Sequence, residues 1–220
     1  MAVLAWDAST KHFFETGVDR GVLYPMNSSG VYQLGVVWNG LISVTEKPSG
    51  AEPSPMYADN IKYLNLISAE EFGATIEAYT YPSEFAVCDG SVKPVEQPGL
   101  AIGQQPRRGF GLCYRTKIGN EVVGDALGYK LHLIYNCLAA PSEKAYSTIN
   151  DTPEGITFSW EITTTPVEIT GFKPSACLIV NSTKVAALKL AALEKLLYGG
   201  TEVGETSQLP TPAVVISTLT

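Results

Sequence analysis

Apolar and polar positions alternate with a period of two along most of this 220-residue chain, the pattern of strands that bury one face. Gly35 to Val44 sets Asn39-Gly40 between two apolar runs, and because both residues tolerate positive φ, the stretch predicts a β-hairpin closed by a type I′ turn. From Glu46 to Asn60 the pattern breaks. Pro48, Pro53 and Pro55 stand beside Ser49, Gly50 and Ser54, a composition that does not sustain a strand ladder, so a long loop is expected. Strand patterns return at 61–67 and 72–81, followed by a short helical turn at 82–88 and a second Gly- and Pro-rich loop at 89–108. Residues 110–116 and 129–138 read as strands around a tip at 119–128, and 156–165 with 175–180 as a further pair. One helix stands out, Lys184 to Tyr198, with Ser182 or Thr183 as its cap and Gly199-Gly200 as its stop. Ala186, Leu190, Leu193 and Leu197 form its apolar stripe, which should lie on a sheet. Residues 201–220 read as a polar, Pro-containing tail ending in the strand-like Ala213-Val214-Val215-Ile216. The fold expected is mainly β with one flanking α-helix: a single domain over 1–200, with an N-terminal arm at 1–25 and the C-terminal tail beyond.

At 45% hydrophobic and 17% charged residues the chain is too apolar for disorder. No apolar run approaches the ~20 residues that cross a bilayer, and Met1 to Asp7 lacks the basic start of a signal peptide, so a soluble protein without membrane binding is expected. A net charge of -7 argues against tight nucleic-acid binding, which needs Lys and Arg to displace counterions from phosphate. That charge is unevenly spread. Glu52 to Glu96 holds eight acids against Lys62 and Lys93, net -6, whereas 97–145 holds six bases against three acids, net +3. Opposite patches suit self-association, the plainer alternative being two solvated faces.

Candidate chemistry is sparse. Cys88, Cys113, Cys137 and Cys177 contain no close pair of the zinc or redox kind and read as buried thiols in a reducing compartment. His132 lies opposite Leu131 and Leu133 in its strand and reads as a half-exposed structural histidine, and His12 stands near the terminus with no partner in view. Nucleophile elbows, phosphate loops and clustered metal ligands are missing, so no enzyme, cofactor or metal is expected. Asp151 with Glu154, or Glu70 with Glu71, could form an acid–base pair, but such carboxylates usually serve turns and caps. The alternative function is a carbohydrate-binding β-sandwich, in which Trp38, Trp160, Tyr57, Tyr63, Tyr79 and Tyr81 would supply stacking faces; core packing is the simpler use of Trp160, which shares a face with Phe158 and Ile162.

Several stretches in order resemble the major tail protein, or tail tube protein, of long-tailed bacteriophages of Gram-positive hosts. They are Glu15-Thr16-Gly17-Val18-Asp19-Arg20-Gly21-Val22-Leu23-Tyr24, Trp38-Asn39-Gly40-Leu41, Tyr57-Ala58-Asp59-Asn60-Ile61-Lys62-Tyr63-Leu64 and Glu71-Phe72-Gly73-Ala74. Glu77-Ala78-Tyr79-Thr80-Tyr81-Pro82, Gly111-Leu112-Cys113-Tyr114-Arg115 and Ala140-Pro141-Ser142-Glu143-Lys144 continue the resemblance, which covers most of residues 15–200. It implies a structural virion protein with two packed antiparallel sheets in a sandwich or barrel arrangement. Such subunits stack as rings, usually of six, into the tube through which the genome leaves; the partners implied are further copies, a tape measure protein, tail-end proteins and duplex DNA in passage, with assembly in the host cytoplasm. Were each of six subunits to give four strands, a barrel of about 24 strands ~4.8 Å apart and tilted ~40° would measure roughly 48 Å across the backbone, wide enough for duplex DNA after side chains are allowed for.

On that reading the acidic balance suits a conduit, since few cations would hold the sliding duplex back. The loop at 46–60 is then a joint between subunits or rings: Pro48, Pro53 and Pro55 lower the entropy lost on docking, and Met56 and Tyr57 supply an apolar anchor. Arg107 and Arg108, at the end of the second loop, are further candidate contacts.

Overall fold

The computed structural model describes Trp6 and residues 11–97, 99–149, 151, 154–202 and 204–220. Its elements in chain order are β1 (Phe13–Pro25), β2 (Val36–Trp38), β3 (Leu41–Glu46), β4 (Ser49–Gly50), β5 (Pro53–Ala58), β6 (Ile61–Ile67), β7 (Glu70–Glu71), β8 (Gly73–Ala78), a 3-10 turn (Ser83–Val87), β9 (Phe110–Asn120), β10 (Gly124–Ala139), β11 (Phe158–Thr164), β12 (Cys177–Asn181), α1 (Ala187–Tyr198) and α2 (Pro212–Leu219). Eight strands form one antiparallel sheet in the order β2-β1-β9-β10-β11-β8-β3, with β12 also paired to β10, while β4 with β7 and β5 with β6 form separate ribbons. The mainly β fold with a flanking helix is thus observed. The sheet is not a closed barrel, since no ladder among the described residues joins its ends, β2 and β3.

Alternate side chains of β9 and β10 point to opposite faces, and both faces are covered, which is why Phe110–Tyr114 and Leu131–Tyr135 are buried without a break. Leu112, Tyr114 and Ile134 join Leu23, Trp38, Ile76, Trp160 and Ile162 in a first core, where β1, β9 and β10 face β8 and β11 across the curl of the sheet. Phe85 from the 3-10 turn fills its centre, with ring centroids 4.7 Å from Trp38, 5.1 Å from Trp160 and 5.4 Å from Phe110. On the other face Cys113, Leu131, Leu133 and Tyr135 form a second core with Leu190, Leu193 and Leu197 of α1 and with Val215 of α2. Tyr24, buried there, donates its hydroxyl to the Leu197 carbonyl at 2.7 Å, so the helix end is tied to β1 as well as packed on it.

Several expectations are corrected. Asn39-Gly40 does turn the chain, but only Gly40 takes positive φ (76°), and the flanking strands do not pair: β2 pairs with β1 at Gly21↔Trp38 and β3 with β8 at Leu41↔Ala78. Trp38 decides this, because its buried ring packs on Phe85 and its N–H donates to the Thr80 carbonyl at 3.0 Å, which pulls the two arms onto different neighbours. Residues 53–58 are not loop. They pair with 61–67 around Asp59 (φ 51°) and Asn60 (φ 62°), the two successive positive values that a type I′ turn requires. Pro53 and Pro55 are two apart and so share one edge of β5, where a strand tolerates the loss of donors if that edge is the outer one.

The tip between β9 and β10 is shorter than expected, because the Asn120 side chain accepts the N–H groups of Val122 (3.0 Å) and Val123 (2.9 Å) and closes the turn early. Neither Ser182 nor Thr183 caps α1. Ser182 accepts the Tyr129 N–H at 2.8 Å and Thr183 is held by Asn181, so the helix starts after Ala186 without a side-chain cap and ends at Gly199 (φ 81°). The C-terminal stretch is helix, not strand: Pro212 at the first turn presets φ and costs no hydrogen bond, and Pro212 and Val215 are buried. Of the stretch set apart as an arm, Phe13–Pro25 is an interior strand between β2 and β9, and residues 1–5 and 7–10 lie outside the described residues.

Candidate assembly surface

The ribbon β5–β6 leaves the body after β3 and returns at β8, and every residue from Glu52 to Glu71 is exposed. Its cross-strand pairs sort the side chains into two faces. Ser54 opposite Leu66, Met56 opposite Leu64 and Ala58 opposite Ile61 share one face, while Pro53 opposite Ile67, Pro55 opposite Asn65 and Tyr57 opposite Lys62 share the other, and a register shift between Met56 and Tyr57 leaves Tyr63 as an extra, unpaired residue on β6. Met56 is 50% exposed, Tyr57 71% and Tyr63 70%. Both faces are therefore apolar and neither is covered. A two-stranded ribbon gains little stability by itself in water, so this one has the composition of an element completed by another surface.

Two devices fix its root. Ser49 and Gly50 pair with Glu71 and Glu70, and the Ala51 N–H reaches the Ala69 carbonyl at 3.4 Å. Gly50 has φ 79° and a Cβ there would stand 2.3 Å from the Ala69 carbonyl oxygen, so no other residue fits. The second device is Glu46, the last residue of β3, whose Oε1 accepts the Tyr114 hydroxyl at 2.7 Å and lies 3.1 Å from His132 Nδ1. An ionised carboxylate only accepts, so the imidazole donates there, while its Nε2 lies 3.0 Å from Thr116 Oγ1. His132 is buried, stacked on Tyr114 with ring centroids 4.6 Å apart, and not half-exposed as its strand pattern suggests, because the curl of the sheet brings Glu46 over it.

The hydrogen bond from His132, helped by that from Tyr114 and opposed by burial, holds the Glu46 carboxyl below the ordinary value of 4.5. A depressed folded value means stability that is present above pH 4.5 and lost as the pH falls through the lower folded value. Glu46→Gln should therefore flatten the acid limb of the thermal midpoint against pH, and equal limbs in the two proteins would show that the tether does not stabilise the fold.

Beside the root lies a recess of about 850 Å³ whose walls include Phe72, Ala176, Cys177 and Ile179, with Glu46, Glu70 and Lys173 as its charged groups. Pro48 also lines it. Elsewhere, the outward face of β3, β8 and β11 carries Ser43, Thr45, Thr75, Glu77, Ser159, Glu161 and Thr163, two carboxylates and no cation.

The other sequence candidates fall as follows. Arg107 donates to the Ala139 and Ala140 carbonyls at 3.2 Å and stands 3.8 Å from the buried Asp89, which also accepts Lys144 and the Trp160 N–H; Arg108 is exposed. Trp38 and Trp160 are core residues and offer no stacking face, while Tyr57 and Tyr63 stand exposed on the ribbon. Glu70 and Glu71 sit on β7, and His12 lies 2.9 Å from Glu121. The four cysteines are free thiols; burial pushes Cys88 and Cys113 up to about 12, which removes them as nucleophiles. Among the described residues no group of His, Cys, Asp and Glu could hold a metal ion. The recess and the turn at Asp59-Asn60 escaped the sequence reading, although two residues that tolerate positive φ between strand patterns were a usable signal. No family model matches this sequence, and no curated protein matches it either.

Proposed function

We propose that the chain is the subunit of a bacteriophage tail tube, assembling as stacked rings around a channel for DNA. One observation carries this reading: a protruding ribbon with apolar side chains on both faces and no cover from its own chain. A monomer gains nothing from such an element, whereas a polymer uses it as a joint between copies. The open sheet supports the same reading. β3 is paired on one side only, and β11 meets β10 only at Ile162–Thr164, so each copy offers two edges through which sheets of neighbouring copies can join.

The outward face of β3, β8 and β11 suits the channel lining. Ser, Thr and Glu without Lys or Arg give passing phosphates nothing to bind. Three strands from each of six copies give a barrel about 36 Å across the backbone at ~4.8 Å spacing and ~40° tilt, narrower than four strands would give but still open after ~10 Å is allowed for side chains. In the virion the tape measure protein and tail-end proteins would be its other partners.

Negative-stain microscopy and sedimentation of the purified chain test the proposal. Rings or tubes on the order of 100 Å wide are expected, from the barrel plus outer layers of sheet and helix at ~10 Å each. A stable monomer at all concentrations would overturn it.

A further inference from the structure

The strand β12 has an open edge. The Ala176 carbonyl accepts the Tyr135 N–H at 2.8 Å and the Ser182 N–H reaches the Tyr129 carbonyl at 2.9 Å, so even-numbered positions turn toward β10 and Cys177 and Ile179 turn away from it. Ser175 Oγ occupies the N–H (3.2 Å) and carbonyl (3.0 Å) of Cys177. Ile179 is left with its N–H and carbonyl directed outward, and no strand among the described residues pairs with that edge. The 850 Å³ recess lies alongside, walled by Ile179, Cys177, Ala176 and Phe72.

The ribbon has one edge able to fill this gap. Pro53 and Pro55 remove two donors from the outer edge of β5, while Ile61–Ile67 of β6 contains no proline and pairs with β5 on one side only. One face of β6 bears Leu64 and Leu66, opposite Met56 and Ser54. Phe72, Ala176, Cys177 and Ile179 make the recess wall beside that edge apolar, so an uncovered apolar face on a proline-free strand edge matches it.

We infer that β6 of one copy adds as a strand to the open edge of β12 in the next copy, with Leu64 and Leu66 entering the recess. The inference rests on the tube reading above and names the acceptor for the ribbon. Donor and acceptor are different parts of the same surface, so the contact is head-to-tail and propagates from copy to copy.

The test has two arms on the full-length chain. Ile179→Pro deletes an N–H that no ladder of the subunit uses, so the variant should unfold within a few degrees of wild type while the concentration needed for assembly rises about tenfold or more. In the second arm, on a Cys177→Ala background that removes the native thiol of the recess, Ile179→Cys is mixed with Leu64→Cys or with Leu66→Cys, two positions that allow for register, and oxidised under assembly conditions. Covalent dimers should form in at least one mixture and not from any variant alone, and Ser54→Cys on β5 should not replace the β6 variants. The cross-linking arm stands even if the proline variant misfolds. Wild-type tubes without these cross-links, or normal assembly of a folded Ile179→Pro, overturn the acceptor assignment while leaving the tube reading intact. A wild-type chain that never assembles overturns both.

Discussion

On the proposed tube function, a chain lacking Pro53 to Ile67, with Glu52 joined to Ser68 through Gly-Ser-Gly, is expected to fold, to unfold within a few degrees of wild type, and to stay monomeric. The excised residues are all exposed and none belongs to either core, so the subunit loses almost no buried apolar surface. The ends already meet: Gly50 pairs with Glu70, and Ala51 bonds Ala69. Both strands must go. Removing only Ser49 to Met56 would strand β6 without a partner and expose its apolar side chains to aggregation. Circular dichroism against temperature reads the fold, and sedimentation with microscopy reads assembly. Tubes of normal length from the excised chain would move the joint to the 201–220 tail or the N-terminal residues.

Leu193→Ala is expected to cost ~2 to 5 kcal/mol, because Leu193 is fully buried between α1 and the β1–β9–β10 face and its removal leaves a cavity that surrounding strands close poorly. For a chain of this length that lowers the thermal midpoint by about 2–4 °C per kcal/mol. Leu188, on the same helix but 87% exposed, is the control: Leu188→Ala should change stability by no more than ~0.5 kcal/mol. An unchanged midpoint for Leu193→Ala would mean that α1 does not seal the second core.

Some of this architecture was written locally. Strand periodicity at 61–67, 110–116 and 129–138 falls on β6, β9 and β10, and the Leu190, Leu193 and Leu197 stripe with its Gly199 stop falls on α1, because side-chain alternation and helix termination depend on neighbours a few positions away. The acidic balance and the absence of catalytic motifs were likewise readable, since they need no partner in space. The ribbon is half legible: Met56 and Tyr57 stand out in the sequence as apolar positions and are exposed, but the rule that proline breaks an interior strand does not extend to an outer edge, and so 53–58 forms a strand.

Only the tertiary structure decided which strands pair. Asn39-Gly40 carries a local preference for a hairpin worth at most a few kcal/mol, and the burial of Trp38 among Phe85 and Trp160 outweighs it, sending β2 and β3 to opposite ends of the sheet. Ala213–Ile216 reads as strand by composition, yet no sheet edge receives it, and burial of Val215 against the second core with Pro212 at the first turn makes it helix. His132 became the anchor of Glu46 for the same reason: residues 86 positions apart meet only where the sheet curls back on itself, and no period along the chain encodes that distance.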